Sequence, residues 1–260
     1  MNDTIGFTQD GKIAKILLNR PKAFNAFDLD MIECLTAHLI RIALDNAIRG
    51  VVISGEGKAF CAGGDMRWVF GFPQGPPAAF HELAARFHQA VLEIRRMTKP
   101  VIAAINGMSA GGGFSLALAC DFRVMEESAT LRQAYTSNGL SIDGGGTFVL
   151  PRLVGLARAL EIIAFDRPIS SKQALDWGLV TKVVEDGCAL EEAMKMAREL
   201  AKCSLHSFGL SKLLLTDSFH TAFEAQLERE RMGLSNCAGH PDGKEGVQAF
   251  IEKRKPTYDV

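Results

Sequence analysis

The sequence predicts an α/β fold with a helical C-terminal region, on three observations. Two short segments, residues 50–54 around Val51-Val52-Ile53 and the apolar run 101–105, read as buried strands. Strands alternate with helix-period segments, the mark of parallel crossovers. After Ala189 the pattern is helical throughout.

In chain order, residues 5–8 and 12–18 flank Gln9-Asp10-Gly11, and Asp-Gly is a strong turn signal, so the chain opens as a hairpin. Asn19-Arg20-Pro21 ends its second strand. Asp28 stands where it caps a helix whose apolar residues Met31, Leu35, Leu39 and Ile42 recur at three-to-four spacing. The strand at 50–54 is bounded by Gly55 and Gly57. A glycine-rich loop, Phe60-Cys61-Ala62-Gly63-Gly64-Asp65, leads into residues 68–77, which show no clear periodicity. Residues 78–97 read as a long amphipathic helix. Lys99-Pro100 begins the strand at 101–105, which runs into Asn106-Gly107 and a glycine-led helix ending at Ala119. Residues 121–125 form a third strand. Further helices fall at 190–201, 210–215, 219–234 and 243–253. We take residues 1–200 as the core that carries the site and 201–260 as a helical appendage.

Composition narrows the function. A hydrophobic share of 47%, a charged share of 23% and a net charge of −1 belong to an ordinary globular protein, with no reason to expect nucleic acid or an anionic membrane as partner. Residues 1–10 are polar and carry Asp3 and Asp10 where a secretory leader would be basic. No apolar run reaches about 18 residues, so no membrane span is expected. The cysteines at 34, 61, 120, 188, 203 and 237 form no CxxC pair, which argues against a zinc site or a disulfide framework. Reduced thiols in the cytoplasm are the expectation, with Cys34 and Cys120 packing on apolar faces. The basic stretch at 244–255 reads first as a solvated helix face.

Two segments bring glycine to the C-terminal end of a buried strand: residues 60–65 and Asn106-Gly107-Met108-Ser109-Ala110-Gly111-Gly112-Gly113. Glycine allows close backbone approach to a ligand. A helix starting at the second set turns free N–H groups and its positive dipole end toward the same place. Two amides aimed at one carbonyl oxygen make an oxyanion hole, where each donor is worth about 2.7–4 kcal/mol in the transition state. The bland alternative is that both are packing turns. A third reading takes Gly107-Met108-Ser109-Ala110-Gly111 as a GxSxG nucleophile elbow, completed by Asp143 and one of His206, His220 or His240.

Several segments together resemble the enoyl-CoA hydratase/isomerase (crotonase) family, in its order and spacing. They are Arg20-Pro-Lys-Ala-Phe-Asn25, Ala59-Phe-Cys-Ala-Gly-Gly-Asp65, Lys99-Pro-Val-Ile-Ala-Ala-Ile-Asn-Gly107, Ala110-Gly-Gly-Gly113, Gly145-Gly-Thr147 and Leu150-Pro-Arg152. Later pieces fit too, Ile169-Ser-Ser-Lys-Gln-Ala-Leu-Asp-Trp-Gly-Leu-Val180 and Phe250-Ile-Glu-Lys-Arg-Lys255. The resemblance implies a crotonase-like ββα spiral with a C-terminal helical region used in trimer assembly, as a homotrimer or dimer of trimers. It implies an acyl-CoA thioester as substrate, coenzyme A being part of that substrate, and no separate cofactor or metal. It places the oxyanion amides at Gly64 and Gly112, and CoA contacts at Lys22, Ala23, Phe24, Ala62, Asp65 and Met66. Phe250 and Lys253 resemble positions that reach a neighbouring subunit's CoA phosphate.

The chain departs from the family's hydratases at the two glutamates that position and activate water. Ser115 and Tyr135 occupy those positions, on the substrate side of the site, and neither can act as the general base that hydration needs. Asp143, before Gly144-Gly145-Gly146, stands where some isomerases and one dehalogenase branch of the family carry an acidic residue. As a turn residue an Asp before glycines is unremarked; within the family pattern it is the expected acid/base of a Δ3,Δ2-enoyl-CoA isomerase, provided the loop withdraws it from bulk water. The dehalogenase-like alternative has Asp143 attack an aromatic acyl-CoA while His88 activates water, although Tyr135 replaces that branch's tryptophan. His81 and His88, one heptad apart, also fit a structural role. A non-catalytic acyl-CoA-binding protein is the alternative from another class. Phe70, Phe72, Phe114 and Tyr135 are the expected walls of the acyl pocket.

Overall fold

The computed structural model describes residues 4–258; residues 1–3, with the Asp3 of the polar opening stretch, and 259–260 lie outside the described residues. Strands β1 (Ile5–Asp10) and β2 (Ile13–Leu18) form the antiparallel hairpin, with Asp10 paired to Ile13. The turn is therefore Gly11-Lys12, and Gly11 supplies the left-handed backbone at φ 57°. Helix α1 (Leu29–Leu44) starts as expected: the Asp28 carboxylate accepts the Met31 N–H at 2.9 Å. Its buried stripe includes Met31, Leu35, Leu39 and Ile42.

The chain then repeats one pattern. β3 (Gly50–Gly55) leads to β4 (Ala59–Cys61), then α2 (Met66–Phe70) and α3 (Pro76–Arg96). β5 (Val101–Ile105) leads to β6 (Met108–Ala110) and α4 (Gly112–Ala119). β7 (Phe122–Glu126) leads to β8 (Thr130–Arg132) and α5 (Gly146–Phe165). β3, β5 and β7 lie parallel within a six-stranded sheet, β1-β2-β3-β5-β7-β10, while β4, β6 and β8 lie parallel in a second, β4-β6-β8-β9. Each turn of chain thus lays one strand in each sheet before returning through helix, the ββα spiral that the resemblance implied. β9 (Ile169–Ser170), α6 (Ser171–Asp176) and β10 (Lys182–Val184) close the two sheets.

Burial explains the layers. β3 and β5 are buried at every residue, as parallel strands covered on both faces must be. On one face, α1 and α3 enclose the main core with Ile53, Ala103 and Ile105. On the other, Ala189, Ala193 and Ala197 of α7 (Ala189–Leu200) seat on Val52, Ile102 and Val124. The remaining helices, α8 (Leu205–Asp217), α9 (Phe223–Gly239) and α10 (Pro241–Ile251), form the C-terminal region. Two buried cations tie it down. Arg49 donates to the Ala201 and Cys203 carbonyls at 2.8 and 2.9 Å. Lys212 donates to Asp121 Oδ2 and the Ile94 carbonyl, both at 2.8 Å.

Two expectations need correction. Residues 68–77 are not all irregular, because Asp65 caps α2 by accepting the Arg67 and Trp68 N–H groups. The glycine-led helix does not follow Asn106-Gly107 directly; β6 intervenes. Among the described residues no helix is long and apolar enough to cross a membrane.

Candidate active site

The two glycine loops leave neighbouring strands of the second sheet. β4 and β6 are parallel, with Cys61 opposite Ser109, so the segments that follow emerge side by side. Their contact is too close for side chains. A Cβ on Gly63, whose φ is 94°, would lie 3.0 Å from both the Ala110 carbonyl oxygen and Gly112 N, and one on Gly113 would lie 2.1 Å from the Cys61 carbonyl oxygen.

The peptide groups on either side of Gly64 are held by Phe27. The Phe27 N–H donates to the Gly63 carbonyl at 2.7 Å, and the Asp65 N–H donates to the Phe27 carbonyl at 2.8 Å. No protein acceptor takes the Gly64 N–H itself among the described residues. Gly112 opens α4, so its N–H has no intrahelical acceptor. Both glycines line one cavity of about 310 Å³.

Aromatic and aliphatic groups form most of the remaining wall: Phe27, Phe80, Leu83 and Phe87, the last three on α3. The Phe27 and Phe87 rings pack at 5.2 Å between centroids. Sequence reasoning named other residues for this wall. Phe70 is exposed, Phe72 packs on Trp68 and Phe114 is sealed in the core, so Tyr135 alone of that group lines the cavity. Their spacing did not reveal which face of each element turns inward; the Leu83–Phe87 stripe of α3 was the signal available.

Asp143 also lines the cavity, at the end of a loop that returns from Tyr135. Its carbonyl accepts the Ser115 hydroxyl at 2.6 Å and the Gly146 N–H at 3.1 Å. Ser115 Oγ lies 3.4 Å from the Tyr135 hydroxyl. Burial pushes the Tyr135 phenol well above its ordinary range, so the group stays neutral. At Gly144, φ is 61° and a Cβ would meet Phe87 Cε1 at 2.3 Å and Ser115 Cβ at 2.9 Å. The glycine run therefore closes directly on Ser115. Ser115 is an anchor for the Asp143 loop.

The Asp143 carboxylate meets His88, with Oδ1 and Nε2 2.6 Å apart. Their side chains are 37% and 50% exposed, so Asp143 is only partly withdrawn from water. The loop that carries Tyr135 is fixed from behind. Buried Asp166, at the end of α5, accepts the Ala134 N–H at 2.8 Å and the Ser137 hydroxyl, while Arg132 Nε donates to it at 3.3 Å.

The two segments expected to touch coenzyme A adjoin. Lys22 and Ala23 lie in a 3-10 turn, Phe24 is exposed beyond it, and the Ala62 N–H donates to the Phe24 carbonyl at 3.0 Å. Met66 is exposed beside them. The Asp65 carboxylate is spent on the α2 cap and on Arg20 at 2.8 Å. Phe250 is exposed on α10, and Lys253 follows that helix with φ 55°; neither lines the cavity of this chain. Of the basic stretch, Arg254 is paired with Glu245 and Glu252, each at 2.6 Å.

The nucleophile-elbow reading fails on geometry. Ser109 lies inside β6 with no exposure and its hydroxyl has no partner among the described residues. The histidines it needs are elsewhere: His206 and His240 stack on each other at 4.0 Å, and His220 packs on Phe148. The described residues contain no group of three or more His, Cys, Asp or Glu able to hold a metal ion.

The sequence profile of the enoyl-CoA hydratase/isomerase family matches residues 8–260. The chain is 34% identical over 247 residues to the 1,2-epoxyphenylacetyl-CoA isomerase of Escherichia coli (strain K12), covering 95% of this chain and 94% of that one. It is 32% identical over 245 residues to the 4-chlorobenzoyl coenzyme A dehalogenase-2 of Arthrobacter sp, covering 93% and 88%. Among solved structures, an enoyl-CoA hydratase from Polaromonas sp. JS666 superposes with a TM-score of 0.93 at 36% identity, over 98% of this chain and 99% of that one.

Proposed function

The chain belongs to the enoyl-CoA hydratase/isomerase family, and on that footing we propose that it is a Δ3,Δ2-enoyl-CoA isomerase in which Asp143 moves the proton. One observation carries the reading: among the described residues that line the cavity of Gly64 and Gly112, Asp143 is the one carboxylic acid. A 1,3-proton shift needs a single base. The Asp143 carboxylate takes a proton from C2 of the β,γ-unsaturated thioester, and the C–H electrons form a dienolate whose oxygen is held by the amides of Gly64 and Gly112. The carboxylic acid then returns the proton at C4 as the double bond settles between C2 and C3. His88 holds Oδ1, leaving Oδ2 for the transfer. Positioned proton transfer of this kind contributes about 10²–10⁴ in rate. Hydration is less well served by the site itself, because Ser115 and Tyr135 stand where the family's hydratases carry glutamates and are bonded within the loop.

The test is conversion of a 3-enoyl-CoA to the 2-enoyl-CoA, with C2 proton exchange followed in deuterated water. Wild type is expected to catalyse both and Asp143→Asn neither; equal activity in the variant removes Asp143 from the mechanism. Binding without turnover or exchange across a thioester panel favours the non-catalytic reading.

The contact between His88 and Asp143 favours one second reading, a dehalogenase-like attack of the Asp143 carboxylate on an aromatic acyl-CoA. Chloride release from 4-chlorobenzoyl-CoA, with an arylated Asp143 seen by mass spectrometry, is its signature. We also propose assembly as a trimer or dimer of trimers. Exposed Leu156, Leu160, Phe223, Leu234, Phe250 and Ile251 on α5, α9 and α10 support it, since a subunit interface is the ordinary cover for such residues. Sedimentation equilibrium tests it, a monomeric mass being the contrary result.

A further inference from the structure

We infer that Arg20 is a positioning residue for the Gly64 amide, an inference that rests on the oxyanion reading proposed above. Arg20 lies just beyond β2, and its guanidinium is turned into the protein. Nη1 donates to the Ala26 carbonyl, while Nη2 meets Asp65 Oδ2 at 2.8 Å and Asp28 Oδ2 at 3.0 Å. The Ala26 carbonyl belongs to the same peptide group as the Phe27 N–H, which donates to the Gly63 carbonyl. Asp65 is the residue after Gly64, and its own N–H donates to the Phe27 carbonyl. One side chain therefore grips the peptide that holds the entry to Gly64 and the residue that forms its exit. The Gly64 N–H shares its peptide plane with the Gly63 carbonyl, so the Phe27 bond aims it, and the Asp65 bond keeps the next peptide from turning.

The segment that Arg20 braces has reason to need bracing. Phe24 and Asn25 are left-handed, at φ 51° and 56°, a conformation that persists in side-chain-bearing residues only where the surroundings over-determine it. Asn25 is fully buried and contributes from below: it accepts the Arg20 N–H at 2.9 Å and donates to the Ala59 carbonyl at 2.7 Å. A cation at the mouth of a CoA site invites a phosphate-binding role. Arg20 does not suit it, because a phosphate arriving there also meets the carboxylates of Asp28 and Asp65. Burial pushes the Asp65 carboxyl up, but Arg20 and the Trp68 and Arg67 amides outweigh it and hold it below its ordinary value, so the clamp keeps its charge at neutral pH.

The experiment uses carbonyl-labelled butanoyl-CoA, a saturated thioester that is not turned over, bound to wild type, Arg20→Gln and Asp65→Asn at saturation. Isotope-edited infrared spectroscopy reads the thioester carbonyl, whose stretch falls in frequency when two amides polarise it. Wild type is expected to show the full shift. Both variants are expected to lose most of it, with a fall in kcat of about 10- to 100-fold against a change in dissociation constant of about threefold or less. A merely structural role lowers the melting temperature and leaves the bound carbonyl frequency where it is. Unchanged frequency and kcat in both variants overturn the proposal. Asp65→Asn keeps an oxygen to cap α2, so it decides the matter alone if Arg20→Gln does not fold. A wild-type complex with no shift removes the oxyanion reading itself, and the role of Arg20 with it.

Discussion

Gly144→Ala puts a methyl group where the site has no space for one. On the existing backbone the new Cβ lies 2.3 Å from Phe87 Cε1 and 2.9 Å from Ser115 Cβ, at φ 61°. An L side chain in the left-handed region costs about 1–2 kcal/mol, and overpacking a filled site adds about 1–3 kcal/mol, so the expected loss is about 2–5 kcal/mol. The Phe87 ring cannot simply swing away, because it is buried against Phe27 at 5.2 Å. Relief comes from lifting the loop, which draws the Asp143 carbonyl off Ser115 and its carboxylate off His88. Gly139→Ala is the control, since its φ is 68° but a Cβ there meets nothing within 4 Å, leaving the backbone cost alone. Thermal unfolding and thioester turnover are measured together. At this chain length Gly144→Ala should melt about 10 °C below wild type, with Gly139→Ala between them, and only Gly144→Ala should lose activity beyond its loss of folded protein. Wild-type melting and turnover in Gly144→Ala would refute the packing and the placement of the loop.

Ser115→Ala removes the hydroxyl that holds the Asp143 carbonyl; about 0.5–1.5 kcal/mol of stability and a larger share of kcat than of thioester affinity should go with it, by denaturant titration and steady-state kinetics. Ser115→Glu returns a carboxylate to a hydratase position but collides with the glycine run, so crotonyl-CoA hydration should stay absent while stability drops; a gain of hydration contradicts the geometry. Asp166 tests the acid side. Burial pushes its carboxyl up, but the Ser137 hydroxyl, the Ala134 and Ser137 amides and Arg132 prevail and hold it below its ordinary value of 3.8. A folded value below the unfolded one gives stability that is full above the ordinary carboxylate range and fades as pH falls through the folded value. The stability gap between wild type and Asp166→Asn should therefore be constant near neutrality and shrink below about pH 4 in urea titrations. Burial pushes the Cys61 and Cys120 thiols up to about 12, so a thiol reagent should label exposed Cys203 in the native protein and reach those two only after unfolding.

Legibility followed the range of the interactions involved. β3 and β5 were plain because burial on both faces writes an uninterrupted apolar run. β4, β6 and β8 have three residues each, too few to establish a period, and β6 sits inside Gly-Met-Ser-Ala-Gly. α5 carries Pro151 and a non-helical Gly155 at φ 76°, which break the pattern a sequence reading depends on. Gly64, Gly112, Asp143 and His88 were found through family motifs, not through periodicity. What no motif conveyed was how they meet. Ser115 read as a missing glutamate, whereas its bond to a carbonyl 28 residues away makes it a support. Phe27 belongs to no motif singled out in the sequence, yet its peptide groups bracket Gly64 and its ring lines the cavity.

α4 is buried from Gly113 through Ala119, an apolar rod wedged into the main core. Gly112 stands at its tip and shares its stiffness: that amide cannot tilt unless the core itself opens. Gly64 stands instead on a loop, moored by main-chain bonds to buried Phe27 and by the Arg20 clamp. The two amides are thus mounted differently, one on the tip of a buried helix and the other on a moored loop. A substitution that loosens that mooring should therefore move one donor and leave the other in place.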